Sequence, residues 1–260
     1  MIIFTDLDGT LLDHETYSLE AARPALSACA ARSIPVIPAT SKTAAEVGAV
    51  MHEAGMTGPA IVENGAGIAW PGQEAGSNAQ WTAIRGTLDG LPEELRVLFQ
   101  GFGDWSLAEV SARTGLPPDA ARRAMERRFS EPGDFMGTAE QEKAFVAALA
   151  AKGVSAIRGG RFLTLSLGSD KARRMGEVCK SLGATGPVVA LGDAPNDIAM
   201  LRAADMGVIV ANPAHDPLPP LEGEDEGRII RTRRAGPAGW NEAVLRIIET
   251  DAEQGPGPIT

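Results

Sequence analysis

Short apolar runs alternate with longer amphipathic stretches through the first 70 residues. Ile2, Ile3 and Phe4 open the chain as a buried strand in "IIFTDL". "SLEAARPALSACAARS" then has helical spacing, with Ser18 placed as its N-cap. A second strand, "IPVIPAT", and a second helix, "TAAEVGAVMHEAGM", follow. "PAIVEN" reads as a third strand and "GAGIAW" as the start of a hairpin. Alternation of this kind predicts a doubly wound, Rossmann-like α/β core with a parallel sheet and helices on both faces. Pro35 and Pro38 cannot donate to a sheet ladder, so they should mark the ends of the second strand.

From about Trp81 the texture changes. "PEELRVLFQGFG", "SLAEVSARTG", "PPDAARRAMERRF" and "TAEQEKAFVAALAAKG" are helix-like, and "SAIRGG" with "RFLTLSL" reads as a strand pair. After Asp170 the alternation resumes: helix "KARRMGEVCKSLGA", strand "GPVVALGD", helix "DIAMLRAAD", strand "MGVIVAN". A doubly wound core, residues 1–80 and 168–260, is thus interrupted by an inserted α/β module, residues 81–167. "PAHDPLPPLEGEDEG" reads as a loop and "EQGPGPIT" as a frayed tail.

Ligands of open parallel sheets bind beyond the carboxyl ends of the strands. Polar groups gather at those ends here. The first strand carries Asp6 and Asp8, the second Thr40, Ser41 and Lys42, and the third Glu63 and Asn64. The strand "VVALGD" carries Asp193, with Asn196 and Asp197 at the next helix start, and Lys171 opens the helix after the insertion. A buried carboxylate is costly unless paired or metal-bound. Asp6, Asp8 and Asp193 are hard oxygen donors suited to Mg²⁺ beside a phosphate. Thr40 and Lys171 supply a hydroxyl and a cation for phosphate oxygens, and a carboxylate can attack phosphorus. The set fits phosphoryl transfer through an aspartyl-phosphate. Each group also has a plainer reading: Asp193 and Asp197 as helix N-cap acids, Thr40 as a cap, Asn64 as a turn residue, Lys171 as a surface lysine. No glycine-rich loop ending in GK[ST] is present, which disfavours a P-loop NTPase.

Composition narrows the partners. The formal charge of −10 argues against a nucleic-acid partner. Only Cys29 and Cys179 are present, without CxxC spacing. With no apolar run near the ~18 residues of a membrane span, and no signal-like N-terminus, a cytoplasmic location is expected. His14, His52 and His215 have no partner spacing and stay outside the predicted chemistry. The stretch "SLAEVSARTGLPPDAARRAME" has the form of a helix-turn-helix, so a DNA-binding regulator is the rival from another class. A ligand-binding dead enzyme and a sugar phosphomutase are further rivals; isomerisation of a hexose 1-phosphate without phosphate release would identify the mutase.

"DLDGTLLD", "PAT" after a strand, Lys171 and "GDAPND" resemble, in order, the four motifs of the haloacid dehalogenase superfamily of phosphatases. The resemblance implies Asp6 as nucleophile and Asp8 as the acid that protonates the leaving oxygen and then activates water. It implies that Thr40 and Lys171 hold the phosphoryl group. Asp193, Asp6 and the Asp8 main-chain carbonyl would hold Mg²⁺, with Asp197 behind them or binding through water. The insertion resembles the α/β cap of the superfamily's second (C2) type, which closes over the site. "PATSKTAAEV", "ENGAGI", "RTGLPPDAARRAMERRFSEPGDF", "GGRF" and "GPAGWNEAV" are similar to the mannosyl-3-phosphoglycerate phosphatase family. That implies a small anionic phosphorylated sugar acid as substrate and mannosylglycerate, a compatible solute, as product. Arg128, Ser130, Glu131, Arg158 and Arg161 would meet its carboxylate and hydroxyls, with Ser41, Lys42, Asn64 and Asn196 nearby. Thr164 stands where the family favours histidine, which leaves a glucosyl analogue or another sugar phosphate open. Monomer and homodimer both remain open.

Overall fold

The computed structural model describes residues 1–73, 77–158, 161–168 and 170–254. Gly159 and Gly160 of "GGRF" and most of the expected tail lie outside them. In chain order the first elements are β1 (Ile2–Thr5), α1 (Arg23–Ala31), β2 (Val36–Pro38), α2 (Ala44–Ala54), β3 (Ala60–Val62) and β4 (Gly67–Ala69). Next come α3 (Ala79–Asp89), α4 (Glu93–Arg96), β5 (Phe99–Gly101), α5 (Leu107–Thr114), α6 (Pro118–Ala124) and β6 (Ser130–Phe135). Then follow α7 (Ala139–Ala150), β7 (Ser155–Arg158), β8 (Leu163–Ser166), α8 (Lys171–Leu182) and β9 (Val188–Gly192). The last are α9 (Ile198–Ala203), β10 (Met206–Ala211), β11 (Ile229–Ala235) and α10 (Gly236–Gln254).

By contact the chain groups into two compact units: 1–40, 51–59 and 175–260, and 41–50 with 60–174. These limits differ from the sequence boundaries at 80 and 168. The first unit holds a five-stranded, all-parallel sheet in the order β11-β10-β9-β1-β2. Its central strands are apolar and buried on both faces, as a covered parallel sheet requires. Trp240 of α10 is fully buried, and its indole N–H donates to Thr5 Oγ1 at 2.9 Å. Pro35 immediately precedes β2 and Pro38 ends it; β2 is an edge strand, where a missing N–H on the open side costs no ladder bond.

The second unit holds the β3–β4 hairpin and a four-stranded antiparallel sheet, β5-β6-β8-β7. Ile84 and Leu88 of α3 and Phe145 and Leu149 of α7 pack with Phe99, Leu163 and Leu165 of that sheet. Among the described residues, no helix is long and apolar enough to cross a membrane.

Several expectations are corrected. β3 pairs with β4 and is not a member of the parallel sheet. Ser18 does not cap α1: its Oγ accepts the Glu20 N–H, at 3.3 Å, before a short 3₁₀ turn, and Pro24 sets the helix start. The helix expected over "PEELRVLFQGFG" stops at Arg96, and Phe99–Gly101 is a strand. The helix expected over "PPDAARRAMERRF" stops at Ala124, so Arg127 and Arg128 lie beyond it. The hydrophobic pattern does not predict β6, β11, α3 or α10, which the structure adds.

Candidate active site

In the first unit the site grows from the carboxyl ends of β1 and β9. The Asp6 N–H donates to the Leu191 carbonyl at 2.9 Å, so the β1–β9 ladder continues to the first catalytic candidate. Asp6, Asp193 and Asp197 are all buried and offer one oxygen each within 4.8 Å of one another. Like charges this close and this buried repel strongly unless a proton or a cation intervenes. Three hard carboxylate oxygens within this distance of one another suit a small divalent cation.

The surrounding groups hold this cluster in shape. Thr10 Oγ1 donates to Asp193 Oδ1 at 2.7 Å, and Asn212 Nδ2 donates to Asp193 Oδ2 at 2.8 Å. His215 Nε2 stands 2.9 Å from the same Oδ2, while its Nδ1 meets the Asp216 carbonyl at 2.9 Å. Both partners are acceptors, so the doubly protonated imidazolium satisfies both contacts. Burial alone would lower the His215 pKa, but the Asp216 carbonyl and the Asp193 carboxylate outweigh it and raise the value above 6.5. Asp197 Oδ2 accepts the N–H groups of Asp193 and Ala194 at 3.1 and 3.0 Å, fixing the loop after β9. Gly9, at φ 82°, brings the Asp8–Thr10 turn close to these groups; a Cβ there would overlap the Asn212 amide.

Thr40 is buried two residues past β2. The capping role considered for it belongs to Thr43, whose Oγ1 accepts the Glu46 N–H while Glu46 accepts the Thr43 N–H. Asn196 is half-buried in the turn before α9.

The remaining candidates lie in the second unit. Lys171 is buried, with 1 % of its surface exposed, at the start of α8, so it is not the surface lysine of the plainer reading. Ser41, Lys42, Arg128 and Ser130 are brought together around Glu63. The Glu63 carboxylate accepts the Arg128 and Phe129 N–H groups at 3.0 and 3.1 Å and the Ser130 hydroxyl at 2.7 Å. The Glu63 N–H donates to the Lys42 carbonyl, and Arg127 NH1 donates to the Ser41 carbonyl. Asn64 adopts φ 59°, ψ 35°, a left-handed conformation that asparagine tolerates better than most residues.

Three candidates are already engaged. Both Glu131 oxygens are committed, Oε2 to Trp81 Nε1 at 2.6 Å and Oε1 to Arg85 at 3.0 Å and the Gly103 N–H at 2.8 Å. That makes Glu131 an internal anchor of its unit rather than an open hydrogen-bonding group. Arg158 pairs with Glu142 at 2.6 Å, and Arg161 donates to the carbonyls of Arg113 and Thr114.

Sequence reasoning places Glu63 at a strand end without giving it a role, and it leaves Asn212 and His215 out altogether. Asn212 follows the last residue of β10, so the strand-end rule that found Asp193 could have found it. His215 had no such signal; only the loop after β10 brings it back to Asp193.

Residues 3–83 and 135–218 match the family described as haloacid dehalogenase-like hydrolase. A glucosyl-3-phosphoglycerate/mannosyl-3-phosphoglycerate phosphatase of Persephonella marina is 35% identical over 269 residues, covering 95% of this chain and 97% of its own. Its namesake in Methanococcoides burtonii is 33% identical over 271 residues, with the same coverage. The fold is shared with the sucrose-phosphatase of Synechocystis, solved with sucrose and phosphate, at a TM-score of 0.64 and 16% identity over 95% of this chain and 97% of that one. It is also shared with a phosphatase of the haloalkanoate superfamily from Bacteroides thetaiotaomicron, at 0.68 and 18% over 95% and 94%.

Proposed function

The chain belongs to the haloacid dehalogenase-like hydrolase family and is a phosphoric monoester hydrolase; from that premise we propose that it removes the phosphate of mannosyl-3-phosphoglycerate to leave mannosylglycerate. The observation that carries the chemistry is the buried Asp6–Asp193–Asp197 cluster at the carboxyl ends of two adjacent parallel strands. The relatives' shared name, over almost the whole chain, supports the substrate.

In this reading the Asp6 carboxylate attacks phosphorus and forms an aspartyl-phosphate. Asp8 gives its proton to the departing alkoxide of the sugar acid, then takes one from the water that attacks phosphorus and frees Asp6. The Thr40 hydroxyl and the Lys171 ammonium bind phosphoryl oxygens as negative charge builds on them. Asp6, Asp193, Asp197 and the Asp8 main-chain carbonyl would hold Mg²⁺, which, when bound, offsets charge on the phosphoryl oxygens. In this reading residues 81–167 form the cap module and residues 1–80 and 168–260 the catalytic core. Arg128 and Ser130, with Ser41, Lys42, Asn64 and Asn196, recognise the sugar acid; Arg158 and Arg161 reach it only by exchanging their internal partners.

A second reading rests on the relatives' double name: glucosyl-3-phosphoglycerate is hydrolysed as well or better. Phosphate release from the two substrates, with and without Mg²⁺, tests both. Turnover of either only with the metal supports the mechanism class, and the ratio of kcat/KM identifies the sugar. Turnover of an aryl phosphate alone would discard both substrates.

A further inference from the structure

We propose that Glu63 is a positioning residue for substrate recognition, holding the segment that bears Arg128 and Ser130 and the loop that bears Ser41 and Lys42 in one fixed arrangement. The inference rests on the reading of those four residues as substrate-binding. Glu63 is 1 % exposed, and its carboxylate serves the two successive backbone N–H groups of Arg128 and Phe129 and the Ser130 hydroxyl. The Arg127 guanidinium stands 3.9 Å away and donates to the Ser41 carbonyl at 2.9 Å. A carboxylate buried this deeply needs several donors, and these three come from consecutive residues of one segment.

The Glu63 backbone adds a second tie. Its N–H donates to the Lys42 carbonyl at 2.9 Å, and Thr43 Oγ1 donates to the Arg123 carbonyl at 2.8 Å. Glu63, Asn64 and Gly65 are three successive residues at positive φ: 51°, 59° and 86°. Such a turn is held by its surroundings rather than by local preference. Gly65 packs so closely on the Asp170–Lys171 peptide that a Cβ would overlap it, and Arg174 donates to the Gly65 and Ala66 carbonyls at 3.1 and 3.0 Å. One turn therefore joins the segment 127–130, the loop 41–43 and the start of the Lys171 helix. Altering only the Glu63 carboxylate loosens its hold on residues 128–130 and leaves the backbone ties to the 41–43 loop and to the Lys171 helix in place, so the recognition groups should shift first.

The test compares full-length Glu63→Gln with wild type and with Leu149→Ala, a variant in the apolar core of the antiparallel sheet unit, with Mg²⁺ present. The glutamine amide would turn its NH₂ toward N–H or O–H donors, breaking at least one hold while keeping the shape. KM for mannosyl- or glucosyl-3-phosphoglycerate is expected to rise about tenfold, kcat to change less than about threefold, and KM for an aryl phosphate to rise far less. Hydrogen exchange should speed up at residues 128–130 in this variant and not in Leu149→Ala. Glu63→Asp, which keeps the charge but shortens the reach, should fall between, and serves if Glu63→Gln does not fold. A proportional loss on both substrates, or exchange at 128–130 unchanged from wild type, overturns the proposal. Wild type that hydrolyses the aryl phosphate and a hexose 6-phosphate but neither glycosyl-phosphoglycerate overturns the substrate reading instead. Glu63 is then judged on exchange and on the split between the aryl and hexose phosphates.

Discussion

Asp193 is gripped from three directions, by Thr10, Asn212 and His215. A carboxylate so held presents its lone pairs in one orientation and cannot swing away when its neighbours change charge. Residues behind a metal ligand typically set affinity by a factor of ~10–100. Asn212→Ala and His215→Ala are each expected to weaken Mg²⁺ binding by about that much, read by calorimetry on otherwise folded protein. Unchanged affinity in both would show that Thr10 and the strand suffice to orient Asp193. Asp6 and Asp193 are legible in the sequence because each closely follows an apolar run, and Asp197 follows in the same "GDAPND" stretch; a helix-cap reading alone does not explain three acids converging. The helpers were not. Thr10 looks like part of a turn, and His215 is brought to Asp193 only by the path of a proline-rich loop. Glu63 was visible as a strand-end acid, but its partners are backbone N–H groups 65 and 66 residues away, which no local pattern reports.

Among the elements, the antiparallel sheet unit depends on charge more than its apolar core suggests. Arg85 bridges Glu131 and Asp104, and Arg96 bridges Asp104 and Asp89. Burial alone would raise the Asp104 pKa, but the bonds from Arg85, the Gly101 N–H and Arg96 pull it down from 3.8 to about 2. A depressed carboxylate stabilises the fold above its unfolded pKa and loses that contribution as pH falls through the folded value. Wild type should therefore melt higher than Asp104→Asn above about pH 4, and the gap should close as pH falls toward 2. A gap independent of pH would place the effect in packing. Helix α7 is set by a full capping box, Thr138 with Gln141. Thr138→Ala should cost about 1 kcal/mol of stability, measured by denaturant unfolding. Elements with strong periodicity or caps, such as α2, α7 and α8, could be read from the chain. β6 could not, because "SEPGDF" carries Pro and Gly where strands favour β-branched residues. β11, "IIRTRRA", is an edge strand whose exposed arginines hide its alternation and guard the open edge.

For the whole molecule, the order of motifs is enough to expect a hydrolase with a doubly wound parallel sheet and a second α/β module, and the family match and the two separate sheets agree with that; that the second sheet is a four-stranded antiparallel one is not readable from the motifs. A three-residue apolar strand such as β3 fits a parallel sheet and a hairpin equally well, and only its partner, β4, decides. The chain thus combines three buried acids near the end of a parallel sheet with a second body that carries most of the residues proposed to choose the substrate. The central claim is that the phosphoryl group passes through Asp6. Its most direct test is rapid acid quenching during turnover of mannosyl- or glucosyl-3-phosphoglycerate, followed by peptide mapping by mass spectrometry. The account predicts a phosphoryl group on Asp6 that appears within one turnover and decays with the substrate. It also predicts that Asp6→Asn loses both the adduct and at least about 10³-fold in kcat while keeping its melting temperature within a few degrees. Undiminished phosphate release by Asp6→Asn, or an adduct on another residue, would contradict it.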